Sequence, residues 1–123
     1  MQFVFIDESN PEPTPAGAKG CFLVYGAVLI DAESVSKLND DIEEIRNDLG
    51  FFPDDKLKFS PNDKPKQISR KDHIISKERV LKAAAKRKVR TILYCAHHDI
   101  MDSKGQEVYL NWGLDALFTK VQQ

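Results

Sequence analysis

Long apolar runs are what this chain lacks first. The longest, Cys21 to Ile30, has ten residues, about half of what a membrane helix needs, so no membrane span is expected. Met1-Gln2-Phe3 lacks the basic start of a secretory signal and its small-residue cleavage site. Cysteine is scarce. Cys21 and Cys95 form no metal-ligand spacing, each sits in an apolar strand-like stretch, and buried free thiols are expected at both. These absences point to a cytoplasmic protein. The chain also has no internal repeat, no low-complexity tract, no phosphate-cradling glycine loop and no zinc-type Cys/His cluster.

What is present fits one folded domain over residues 1–123. That length supports one core and is short for two. Apolar residues at 41% and charged ones at 30% make an ordinary globular balance. The net charge of −1 conceals an asymmetry. Between Lys56 and Arg90 stand thirteen Lys or Arg against three acids, a local net of +10, while the rest carries five basic and sixteen acidic residues, a net of −11. A basic block flanked by acidic segments attracts a polyanion locally, although a solvated basic helix face has the same composition.

The stretch around which the chain is organised is Gln2-Phe3-Val4-Phe5-Ile6-Asp7-Glu8-Ser9. A short apolar run ending in a turn cluster predicts a buried strand, with Phe3 to Ile6 in the core. Asp7 and Glu8 then stand where the strand leaves the core, pointing to opposite faces. A carboxylate there is paired, hydrogen-bonded or bound to a cation; capping the following turn is the ordinary structural use. Pro11 to Gly20 reads as a loop. Cys21 to Ile30 predicts a long strand, bulged at Gly26, in a hairpin with the first.

Asp31 to Gly50 is the clearest helix. Val35, Leu38, Ile42, Ile45 and Leu49 make its stripe, and Gly50 stands at the left-handed C-cap. Its acidic face (Asp40, Asp41, Glu43, Glu44) reads as solvated surface. Lys56-Leu57-Lys58-Phe59-Ser60 alternates and predicts a short edge strand. Ser69 to Lys88 predicts a basic helix with Ile74, Ile75, Val80, Leu81 and Ala84 as its stripe. Val89 to Asp99 is a third strand, placed beside the first, whose adjacent His97 and His98 face opposite ways. Gly105 to Gln123 closes the chain as a helix with Leu110, Leu114, Leu117 and Val121 as its seam and no stop signal. The class expected from this order is α/β.

Asp7-Glu8-Ser9 after an apolar strand, the Tyr25-Gly26-Ala27 core of the second strand, and Leu57-Lys58-Phe59-Ser60 together resemble the family called domain of unknown function 3800. That family is similar to the ribonuclease H-like superfamily, whose members cut or rearrange nucleic acid with carboxylates and divalent metal. Many of them are bacterial, phage-related or carried on mobile elements. The resemblance spans essentially the whole chain and implies a ribonuclease H-like mixed sheet beginning with an antiparallel hairpin. It further implies that this is an N-terminal part of a longer family pattern. Lys56 stands where the family has glutamate, and Asn10 where it has glycine.

By the resemblance Asp7 is the first metal ligand, Glu8 a supporting acid and Lys58 a phosphate-contacting cation. Two-metal cleavage needs several converging carboxylates, which makes Asp7, Glu8 and Asp99 the candidate catalytic residues. Asp7 and Asp99 are the candidate ligands of Mg²⁺ or Mn²⁺, with Asp102 in reserve. Lys58, Lys64, Lys66, Arg70 and Lys71 would hold the backbone of DNA or RNA. The expectation is a metal-dependent nuclease-type domain, with a non-catalytic nucleic-acid-binding or dimerising module as the alternative. A homodimer through an open sheet edge or the terminal helix is the further expectation.

Overall fold

A computed structural model describes residues 1–9, 22–97 and 106–123. The strands are β1 (Gln2–Ser9), β2 (Phe22–Asp31) and β3 (Arg90–His97); the helices are α1 (Ala32–Asp48), α2 (Arg70–Lys86) and α3 (Gln106–Val121). The class is α/β: among the described residues, a three-stranded antiparallel sheet with three α-helices. The chain packs as two compact units, one of Met1 and residues 30–89, the other of residues 2–29 and 90–123. The expected Pro11 to Gly20 loop lies outside the described residues, as does Cys21.

In the sheet unit the strand order is β1-β2-β3. The third strand therefore lies beside the second and not the first, which corrects the expected neighbour. Pairing of β2 with β3 is antiparallel and unbroken, from Phe22 opposite His97 to Leu29 opposite Arg90. Gly26 faces Leu93 in that ladder, so the expected bulge is not there. Alternation selects one face for packing: Tyr25, Ala27 and Leu29 are buried against Leu117, with Ile6, Ile92, Tyr94, Leu114 and Val121 around them. Gly113 permits this close approach, because a Cβ on it would come within 2.8 Å of the Tyr25 ring and 2.9 Å of the Tyr94 ring.

The other face carries exposed apolar side chains. Phe3 is 43% exposed, Phe5 58%, Val28 38% and Leu93 63%, and the Phe3 and Phe5 rings stack at 6.4 Å on that side. The first strand forms as expected, but it is not buried. It is an edge strand, and only its Ile6 side meets the α3 layer. Cys95 falls on the same side as Leu93 and is an exposed free thiol, which corrects the expectation of a buried one.

In the helical unit α1 and α2 pack antiparallel, as their ion pairs indicate: Arg79 bonds Asp48 at 2.7 Å, and Arg87 bonds Asp41 at 2.7 and 2.9 Å. Gly50 takes the left-handed cap with φ of 82°, as the sequence predicts. The inward side of α2 departs from expectation. Ile74 and Leu81 are 52% and 60% exposed, while His73 and Ser76 are buried. Those two polar residues sit inside because each is hydrogen-bonded, His73 Nε2 to the Lys58 carbonyl at 2.7 Å and Ser76 Oγ to the His73 carbonyl at 2.7 Å.

The piece Lys56 to Ser60 is irregular, and a 3-10 turn follows at Pro61–Asp63. Side chains hold the carbonyls that a strand ladder would have used. His73 takes that of Lys58, and the Lys77 ammonium donates to that of Phe59 at 3.2 Å. Upstream, one guanidinium nitrogen of Arg46 lies 3.0, 2.8 and 2.7 Å from the carbonyls of Phe52, Pro53 and Asp55. No helix among the described residues is long and apolar enough to cross a membrane.

Candidate functional site

Asp7 and Glu8 are both exposed at the end of β1. Glu8 shares the face of Ile6, and Asp7 shares that of Phe3 and Phe5. The Asp7 carboxylate already has a local use, since its Oδ1 accepts from the Glu8 backbone N–H at 3.0 Å. Glu8 acts at longer range. The Tyr25 phenol is held above its ordinary pKa by its burial first and then by the negative charge of Glu8.

Because β2 runs against both of its neighbours, β1 and β3 point the same way. Their C-terminal ends therefore lie at the same end of the sheet, two strand spacings apart, roughly 9.5 Å. The end of β1 carries Asp7 and Glu8, and β3 ends at His97 on the way to Asp99. Asp99 lies outside the described residues, as do Asp102 and His98. Among the described residues there is no group of three or more His, Cys, Asp or Glu placed to hold a metal ion. The chemistry of Asp7 still suits a hard cation: it offers carboxylate oxygen on an exposed strand end, where water can complete the shell.

The five candidate phosphate contacts belong to the helical unit. Lys58 is exposed, with its ammonium 4.0 Å from the Asp63 carboxylate. Lys64 is half-buried and donates to the Ile68 carbonyl at 2.8 Å, so it fastens the turn before α2. Lys66, Arg70 and Lys71 are exposed. Ser69 caps α2 through its hydroxyl, which accepts from the Asp72 N–H at 3.0 Å and donates to the Asp72 carboxylate at 2.7 Å. Arg70 and Lys71 follow in the first turn, where the helix dipole disfavours cations.

Arg46, His73 and Lys77 anchor residues 52–59, the segment that carries Lys58 and precedes the other four bases, and sequence reasoning singled out none of them. Their partners in that segment lie between 6 and 18 residues away and are backbone carbonyls, for which no side-chain pattern exists to be read. No family model, curated protein or solved structure matches the chain.

Proposed function

We propose that this protein is a ribonuclease H-like domain of nuclease type, acting on nucleic-acid phosphodiesters with Mg²⁺ or Mn²⁺ and related to the domain of unknown function 3800 family. One observation carries the reading: Asp7 and Glu8 stand exposed at the end of the sheet at which β3 also ends on its way to Asp99. A divalent cation bound there would activate water and hold a leaving oxygen. Asp7 would hold the ion and Asp99 would complete its protein ligands. Glu8, on the opposite face of the strand, would act through its charge. Lys58, Lys66, Arg70 and Lys71 would hold the phosphate backbone in a salt-dependent, sequence-tolerant way.

Calorimetric titration with Mn²⁺, comparing the parent with Asp7→Asn, tests this directly. Binding that Asp7→Asn abolishes, accompanied by Mg²⁺-dependent cleavage of DNA or RNA, is the expected result. Absence of both binding and cleavage in the parent overturns the reading. The alternative, a non-catalytic nucleic-acid-binding module, is favoured by the exposed Lys66, Arg70 and Lys71. It predicts binding that persists in chelator and is lost when those three charges are reversed.

A further inference from the structure

β1 is an edge of the sheet. On the side away from β2, every second residue of it presents a backbone N–H and C=O. Protein edges are normally blunted by lysine, proline, a bulge or a covering element. Gln2 to Ser9 contains neither lysine nor proline, and Phe3, Val4 and Phe5 are 43%, 37% and 58% exposed. This is a long edge with exposed apolar side chains and neither of those two residues, and the partner that suits it is an extended strand.

The charges along the strand say which strand. Its acids lie at one end, Asp7 and Glu8. At the other end Arg90 reaches across β2 to place its guanidinium on the Gln2 side-chain oxygen at 3.1 Å. The edge is therefore negative at its C-terminal end and has a cation beside its N-terminal end. A parallel partner of the same sequence would set acid against acid, whereas an antiparallel one sets each acidic end against the other's Arg90.

We infer that β1 pairs antiparallel with β1 of a second copy of this chain, about a two-fold axis at Phe5, and so forms a six-stranded sheet. In this register Phe5 faces Phe5 of the second copy, Val4 faces Ile6, and Gln2 faces Glu8. Paired residues in an antiparallel ladder point to the same face, and Gln2, Glu8 and Arg90 share the face of Ile6. The Glu8 carboxylate thus meets Arg90 of the second copy. The pairing is isologous, so it closes at two chains. It also joins the two exposed Phe3–Phe5 pairs into one apolar strip. The inference does not rest on the nuclease reading, because it needs no metal, although its register engages Glu8 and sets Asp7 opposite Phe3 of the second copy.

Sedimentation velocity from low to hundreds of micromolar protein tests it, with far-UV circular dichroism on every variant. The parent is expected to dimerise. Phe5→Lys should raise the dimer dissociation constant about tenfold or more, as a charge on an open edge does. Glu8→Arg, at an exposed position that does not threaten folding, should raise it about two- to fivefold, the range of a cross-strand charge pair. Combining Glu8→Arg with Arg90→Glu should restore the parent value. A parent that stays monomeric throughout overturns the inference. So does a dimer that survives Phe5→Lys but is broken by Leu93→Lys, and so does one indifferent to the Glu8 and Arg90 exchange.

Discussion

His73 is 1% exposed, an unusual position for a polar ring, and it is tolerable because its nitrogen meets the Lys58 carbonyl. Replacing it with Leu keeps the volume but leaves that carbonyl without its donor. His73→Leu is therefore expected to lose about 1–3 kcal/mol in urea unfolding; an unchanged midpoint would show that only the volume mattered. A second residue-scale prediction concerns pH. The guanidinium of Arg87, by its hydrogen bonds first and then its charge, holds the Asp41 carboxyl below the ordinary aspartate range. A folded-state value below the unfolded one contributes stability above the unfolded value of about 3.9 and loses it as pH falls through the folded one. The difference in thermal midpoint between the parent and Asp41→Asn should accordingly be full near neutral pH and close below about pH 4. A difference that widened on acidification would refute this assignment.

At the scale of the elements, helix ends and helix packing depend on glycine or on its lack. Helix α1 ends on Gly50 in the left-handed region, but α2 ends on Lys88 at φ of 57°, a conformation that costs a side chain about 1–2 kcal/mol. Lys88→Gly should relieve that strain, offset in part by the greater entropy of the unfolded glycine, and a higher thermal midpoint checks it. In α3, Gly113→Ala would push a methyl into two tyrosine rings. Overpacking of this kind costs about 1–3 kcal/mol, and loss of the near-ultraviolet tyrosine signal before the far-ultraviolet one would mark α3 loosening from the sheet. The long elements were legible in the sequence. Val35, Leu38, Ile42, Ile45 and Leu49 mark α1 and Gly50 stops it, because periodicity and caps are local properties. Lys56 to Ser60 misled because its alternation is also local, while the carbonyls that decide against a strand are held by His73 and Lys77 from α2.

On the scale of the whole molecule the charge asymmetry gives a salt prediction. If Lys66, Arg70 and Lys71 contact phosphates, neutralising each to Gln should lower the slope of log affinity against log salt on duplex DNA by about 0.9. Lys64→Gln should act differently. Its ammonium is engaged with the Ile68 carbonyl, so the loss should appear mainly as a lower thermal midpoint. Equal slope changes for all four residues would show Lys64 to be a phosphate contact as well.

The sequence by itself determined where the three long strands and the three α-helices run, that Asp7 and Glu8 stand at the end of the first strand, and that positive charge gathers between Lys56 and Arg90. Only the tertiary structure decided that β2 separates β1 from β3, that α3 covers one face of the sheet, and that Phe3, Phe5 and Leu93 are left on the other. It alone put His73 and Ser76 inside. The division has one physical cause. Backbone conformation and side-chain period are set by neighbours along the chain, whereas burial and hydrogen-bond partners are set by whatever packs opposite.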